Sequence, residues 1–378
     1  MSTKRHIISA QVPVDVRARE AVQSLESYQP GKPIEDVQRE LRLRSVVKLA
    51  SNENALGPSP KAIAALRQAA GELHRYPDAA CTVLKARLAR HLKIASAQLC
   101  VGNGSDELLV LALRAFVDPG DDVVVADPTF LIYRIQAQAC GARVISVPLK
   151  NLRYDLPAMR RAVTPQTKLV FIANPDNPTG TYVTAKELEA FLADLPPEVI
   201  VVLDEAYYEF VDAADYPRSL SYVDQASVLV TRSFSKAYGL AGLRIGYGIS
   251  QPSIIRALEA VREPFNVNRL AQAAAAAALD DAAFLRRTRQ MTREGRDYLE
   301  RALARLQLRT IATVTNFLLI ELGPKASDVA QALLRKGVIV RDMRAWKLDA
   351  FIRVTIGTMP ENRRFIAALT AILGRRTA

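Results

Sequence analysis

"SVLVTRSFSKAYGLAGLRIGYG", residues 227–248, begins as an apolar run of β-branched residues and ends in small ones. Its first part, "SVLVT" (227–231), reads as a buried strand. The residues after that strand are unlike an ordinary connecting loop. Lys236 stands among hydroxyls and glycines, with Ser233 and Ser235 before it and Arg244 after it. Gly239, Gly242 and Gly246 could be turn residues, or they could let backbone come close to a bound anion. The rest of the chain decides between these.

The same grammar recurs upstream. "LCVG" (99–102), "DVVVA" (122–126), "RVISV" (143–147), "KLVFIA" (168–173) and "VIVVLD" (199–204) are further apolar runs, separated by stretches long enough for crossover helices. Strands that are apolar on both faces and alternate with helices predict a mostly parallel sheet in an α/β fold. In such sheets ligands bind beyond the carboxyl ends of the strands. After Pro252 the pattern changes to long helical stretches reaching about Leu306, then to shorter strands at 317–322, 338–341 and 352–355. A smaller α+β domain is expected there. At 378 residues the chain exceeds one ordinary core, which agrees with a larger and a smaller domain. The expected division is an arm (1–50) carrying Pro13, Pro30 and Pro33 and joining the small domain, a large α/β domain (51–265), and an interdomain helix with the small domain (266–378). "GPSPKAIAALRQAA" (57–70) predicts a helix capped by Ser59 with Pro60 in its first turn.

Composition excludes several classes. With 49% hydrophobic and 24% charged residues the chain is globular. No uncharged apolar run approaches the length of a membrane span, and no segment resembles a secretory signal, so a cytoplasmic protein with no membrane partner is expected. Cys81, Cys100 and Cys140 are expected as buried reduced thiols. The three histidines have no metal-ligand spacing, so no metal is expected. The net charge of +12 is spread along the chain, with no block of five like charges, which favours anionic small molecules over nucleic acid.

The strand ends carry the chemistry. "GNGSDELLVLALRAF" (102–116) opens a helix on Gly104 and Ser105, which leaves free N–H groups for a phosphate, although Asp106 and Glu107 also suit a plain helix start. It is neither a dinucleotide fingerprint nor a P-loop. "DPTFLIY" puts Phe130 where a ring could cover a flat ligand or merely fill a core. "NPDNPTG" (174–180) holds two Asn-Pro pairs around Asn177, more than a turn requires. "DEAYYEF" sets Asp204 at the tip of an apolar run, with Tyr207 three residues on; a carboxylate there needs a cationic partner. One ligand accounts for the set: a phosphate for Ser105, Ser233 and Arg244, a flat ring for Phe130, a protonated ring nitrogen for Asp204, a phenolic oxygen for Asn177 and Tyr207, and an aldehyde for Lys236. That ligand is pyridoxal 5′-phosphate, with lysine as imine former.

Together, "SFSKAYGLAGLRIGY", "NPDNPTG", "DEAYYEF", "GNGSDELL" and "KLASNENALGPSPKA" resemble fold-type-I aminotransferases. "YQPGKPIEDVQREL", "HRYPDA", "VIVRDM" and "IRVTIGTMPEN" narrow the resemblance to the histidinol-phosphate aminotransferase family, from about residue 28 onward. The resemblance implies a large domain with a mostly parallel seven-stranded sheet between helices, and a ping-pong transfer of an amino group from histidinol phosphate to 2-oxoglutarate in histidine biosynthesis. It implies that Lys236, Asp204 and Tyr207 are catalytic. Gly104, Ser105, Asp106, Phe130, Asn177, Ser233, Ser235 and Arg244 would hold the cofactor. Tyr76 would reach the cofactor phosphate of a neighbouring subunit, which implies a homodimer with shared sites. Tyr28, Asn52, Arg341 and Arg353 would meet the substrate. Arginine grips carboxylate and phosphate alike, so an aromatic amino-acid aminotransferase is the alternative. Arg341 could instead pair with Asp342 on the surface. Ala55 replaces a proline common in the family. A more distant alternative is a decarboxylase of threonine phosphate. A ligand-sensing regulator would carry a DNA-binding helix-turn-helix in front, which the first 50 residues do not resemble.

Overall fold

The computed structural model describes residues 18–23, 25 and 31–374. Among them are twelve strands in two sheets. In chain order they are β1 (Val47–Leu49), β2 (Leu99–Gly102), β3 (Asp122–Asp127), β4 (Arg143–Pro148), β5 (Thr167–Ala173) and β6 (Ile200–Asp204). Then come β7 (Val228–Ser233), β8 (Gly246–Ile249), β9 (Thr310–Ile311), β10 (Phe317–Glu321), β11 (Val338–Asp342) and β12 (Phe351–Thr355).

The larger sheet has seven strands in the order β2-β8-β7-β6-β5-β3-β4. β4, β3, β5, β6 and β7 are parallel, while β8 runs antiparallel to both β7 and β2. Leu169, Val170, Phe171 and Ile172 of β5 are consecutive and all fully buried. Successive strand residues point to opposite faces, so both faces of this sheet are covered. Burying each such side chain contributes about 1.5–3 kcal/mol. The six runs read from the sequence are all strands of this sheet. The seventh, β8, lies within the opening stretch, where "GYGI" gives no apolar signature.

Ser59 caps the helix Pro60–Ala69, its Oγ accepting from the Ala62 amide at 3.1 Å. The alanine-rich helix Arg269–Leu279 packs on that helix and on Thr82–Leu92, and its alanines lie in the core of the larger sheet. Cys81 and Cys100 are buried, Cys140 is half-buried, and all three are free. Burial pushes the Cys81 thiol up to about 11 and Cys100 up to about 12, which suits inert core thiols.

The second sheet has the order β1-β11-β12-β10-β9. β1 joins it parallel to β11, so residues 47–49 close the sheet formed by the C-terminal part of the chain. Its core includes Leu299, Leu318, Ile352 and Phe365. The 24-residue helix Ala282–Arg305 touches both cores, packing Leu285 toward the larger sheet and Leu299 and Leu303 toward the smaller. The carboxyl ends of β5, β6 and β7 therefore face β11 and β12 across one cleft.

Candidate active site

The cleft has a volume of about 250 Å3. Of the cofactor, catalytic and substrate residues expected from the sequence that lie among the described residues, all line it except Gly104 and Tyr76.

At one end is an anion cradle. Gly104, at φ +86°, caps the helix Ser105–Phe116 without a side chain, so the first-turn amides stay open. Ser233 Oγ accepts from the Ser235 amide at 3.0 Å. Arg244 donates from Nη1 to Ser235 Oγ at 3.3 Å and from Nη2 to Asp106 Oδ2 at 3.1 Å. Asp106 is thus the carboxylate that holds Arg244 in place. A Cβ on Gly246 would stand 2.4 Å from the Ser105 nitrogen, and one on Gly239 would stand 2.2 Å from the Gly57 carbonyl oxygen. These two glycines permit close backbone approach. Gly242 has open space around it, so its grouping with them on sequence grounds fails.

In the middle is a buried acid. Asp204 ends β6 at 6% exposure. Its Oδ2 accepts from the Tyr133 hydroxyl at 2.7 Å, and its Oδ1 from Thr231 Oγ1 at 3.1 Å and the Ala206 amide at 3.2 Å. Burial pushes its pKa from the usual 3.8 to about 6, and these donors hold it back from rising further. Tyr133 was missed in the sequence. It follows Phe130 by one helical turn in the helix Leu131–Ala139, and that spacing was the available signal.

Lys236 sits half-buried on the loop after β7, with Nζ 5.6 Å from the Tyr207 ring centroid. Asn54 Nδ2 pins this loop through the Ala237 carbonyl at 2.9 Å. The Tyr207 hydroxyl accepts from Asn52 Nδ2 at 2.9 Å.

At the far end are two arginines. Arg341 of β11 and Arg353 of β12 are directly opposed in antiparallel register. Arg353 is 5% exposed; it donates from Nη2 to the Ala50 carbonyl at 3.1 Å and from Nη1 to Asn177 Oδ1. The Trp346 ring lies 5.1 Å from the Arg341 guanidinium and 5.7 Å from that of Arg353. Asp342 is held by Arg344 Nε at 2.9 Å and Ser327 Oγ at 2.8 Å, and Arg341 lines the cleft. Like charges opposed across a sheet are unfavourable by themselves. An anion held between them would offset that cost.

Tyr76 is not in the cleft. It is 78% exposed and stacks on Phe265 at 4.6 Å. Tyr28 lies outside the described residues.

Comparison with known proteins agrees with this geometry. Residues 44–369 match the family model for aminotransferase class I and II, and the chain is an aminotransferase of that class. A histidinol-phosphate aminotransferase of Moorella thermoacetica is 51% identical, over 94% of this chain and 93% of that protein. Histidinol-phosphate aminotransferase 1 of Nitrosococcus oceani is 48% identical, over 94% and 96%. The crystal structure of the histidinol-phosphate aminotransferase from Sinorhizobium meliloti, in complex with pyridoxal-5′-phosphate, superposes with a TM-score of 0.89. It is 33% identical and covers 96% of this chain and 99% of that one. The chain belongs to the histidinol-phosphate aminotransferase family.

The residues present fit pyridoxal phosphate. The open amides after Gly104, brought close to β8 by the bare Gly246, suit a phosphate, and the buried Asp204 carboxylate suits a cationic ring atom. Gly246→Ala is expected to lower stability by about 1–3 kcal/mol through overpacking against Ser105. It should also weaken pyridoxal phosphate binding. Urea unfolding and cofactor titration of the cofactor-free protein check both, and an unchanged affinity would remove Gly246 from the cradle.

Proposed function

We infer that the chain is a histidinol-phosphate:2-oxoglutarate aminotransferase of histidine biosynthesis, working by a ping-pong cycle. The observation that carries the substrate is the opposed pair Arg341 and Arg353, both lining the cleft from the smaller sheet. Two fixed cations suit a phosphate monoester in one half-reaction and a carboxylate in the other.

Pyridoxal phosphate, when bound, supplies an aldehyde for the substrate amine and a ring that accepts the electron pair left on Cα. The roles assigned to the chain's own residues rest on their motifs and on the cleft they line. Lys236 Nζ would tether the cofactor, then take the proton from the substrate Cα and return it to the cofactor's former aldehyde carbon. Asp204 would face the ring nitrogen and keep it protonated. Tyr207 Oη and the Asn177 amide would meet the phenolic oxygen, with Arg353 fixing Asn177 through its carbonyl. Phe130 covers the ring face. The open first-turn amides from Ser105 onward, the hydroxyls of Ser233 and Ser235, and the Arg244 guanidinium would take the phosphate, with Asp106 orienting Arg244. The Gly104 amide, expected there from the sequence, instead donates to the Gly102 carbonyl at 2.8 Å. Asn52 positions Tyr207 beside the substrate, and Tyr28 is assigned there on its sequence motif alone. Tyr76 completes the phosphate site of a second copy; its exposure beside Phe265 supports this, and with it a homodimer. The reading sets this dimer in the cytoplasm.

A half-reaction titration tests it. Histidinol phosphate added without oxoacid should bleach the visible band at low concentration, and phenylalanine only weakly. The reverse preference would assign the chain to aromatic amino acids. Arg353→Ala should lower kcat/KM for histidinol phosphate by about 10²–10³-fold, the cost of losing one partner of a buried charge pair. A loss below tenfold would place the phosphate elsewhere.

A further inference from the structure

We propose that Tyr133 is a positioning residue for Asp204, its hydroxyl fixing the carboxylate in the orientation that a protonated cofactor ring nitrogen needs. This rests on the cleft being a pyridoxal-phosphate site.

The hydroxyl has little freedom. Tyr133 is fully buried, stacked on Phe171 of β5 with centroids 4.8 Å apart and planes 13° apart. The ring also meets Phe130 in a T-shaped contact at 5.5 Å and 84°. Stacked on Phe171, packed edge-to-face with Phe130 and fully buried, the side chain has no room to swing, and Oη is delivered to Asp204 Oδ2 at 2.7 Å. The bond therefore costs almost no ordering when the cofactor arrives.

The direction of the bond is also fixed. Burial and the neighbouring Asp204 charge raise the Tyr133 phenol well above its ordinary range, so it stays a donor. A donor favours the ionised acid. A second buried carboxylate lies nearby, Asp176, but Thr129 and Thr179 donate to it, each at 2.8 Å. The tyrosine is spent on the acid that lines the cleft.

The geometry divides the labour on Asp204. Thr231 and the Ala206 amide hold Oδ1, and Tyr133 holds Oδ2, so rotation about the Cβ–Cγ bond is stopped from both sides. Phe130, proposed to cover the cofactor ring, is the same residue that wedges Tyr133. Ring contact and acid orientation are thus mechanically joined through one aromatic pair. The charged and titratable groups facing Asp204 are Asp106 from the helix after β2, Tyr133, and, through the buried cluster, Tyr154 and Asp176. Lys236 and Arg244 line the same cleft.

The test is equilibrium binding of pyridoxal phosphate to the cofactor-free protein between pH 5 and 7.5. In the wild type, affinity should rise with pH as Asp204 ionises. Tyr133→Phe keeps both ring contacts; it should raise Kd about tenfold at pH 6.5 and move the midpoint of the rise upward. It should lower kcat with little change in KM for the amino donor. In an Asp204→Asn background the same substitution should change Kd less than twofold. Should Tyr133→Phe fold poorly, 3-fluorotyrosine at position 133 keeps the hydroxyl and strengthens it as a donor, which should move the midpoint downward. An unmoved midpoint, or equal effects in both backgrounds, overturns the proposal and leaves Tyr133 a core residue. Wild-type protein that does not bind pyridoxal phosphate at all overturns the underlying reading, and this proposal with it.

Discussion

Lys236→Ala is expected to reduce kcat by about 10⁴-fold, at the upper end of what one proton-transferring side chain contributes. The fold should survive. Lys236 lies on a loop whose shape is set by backbone and neighbours: Asn54 holds the Ala237 carbonyl, the Leu240 amide bonds the Phe234 carbonyl at 3.0 Å, and Phe234 is fully buried. None of these uses the lysine side chain. The loss should therefore be chemical. In the proposed mechanism the amine both tethers the cofactor and moves the Cα proton, so one truncation would remove both. The measurement is a single-turnover half-reaction with histidinol phosphate, alongside thermal unfolding. The visible band of the lysine-bound cofactor should be absent, and the unfolding temperature should change by a few degrees at most. Turnover within tenfold of wild type would end the assignment of Lys236, and with it the mechanism.

The reach of the sequence depends on what sets each feature. Runs such as "KLVFIA" are legible because a strand buried on both faces must be apolar at every position. The site was legible at strand ends because polar residues directly after such runs have few structural reasons to be there. β8 was not legible: "GYGI" lacks apolar runs because Gly246 must clear the Ser105 amide and Gly248 lies close to the Leu229 side chain. Its place in the sheet is set by tertiary approach, which one-dimensional patterning does not carry. Arg341 and Arg353 were each visible, but not their opposition, since register depends on how the hairpin between β11 and β12 closes. The pairing of Asp106 with Arg244 is likewise a long-range fact. Tyr133 was hidden because a buried tyrosine three residues after Phe130 reads first as helix core.

Asp204→Asn should stabilise the cofactor-free protein at neutral pH and still cost about 10²–10³-fold in kcat, the range for loss of one preorganised electrostatic group. Folding raises the Asp204 pKa from 3.8 to about 6, so the folded chain binds more protons than the unfolded chain between those values. Stability is then highest below pH 4 for this group and falls as pH rises through about 6. The full loss is about 3 kcal/mol, since each pKa step is worth about 1.4 kcal/mol. Asp176, pushed to about 6, and Glu209, pushed to about 7, add slopes of the same sign, so the wild-type profile alone does not isolate Asp204. The difference between wild type and Asp204→Asn does. Urea unfolding of both cofactor-free proteins at pH 5 and 7.5 should show the variant gaining on the wild type at the higher pH. Adding pyridoxal phosphate should reverse the order, because a protonated ring nitrogen turns the costly buried charge into an ion pair that the amide cannot form. Parallel profiles without cofactor would mean Asp204 is not an isolated buried charge, and an equal gain from cofactor in both proteins would mean it does not face the ring. The expected pattern is that of a site held under strain until its ligand arrives, in which the acid that destabilises the empty fold supplies the driving force for binding.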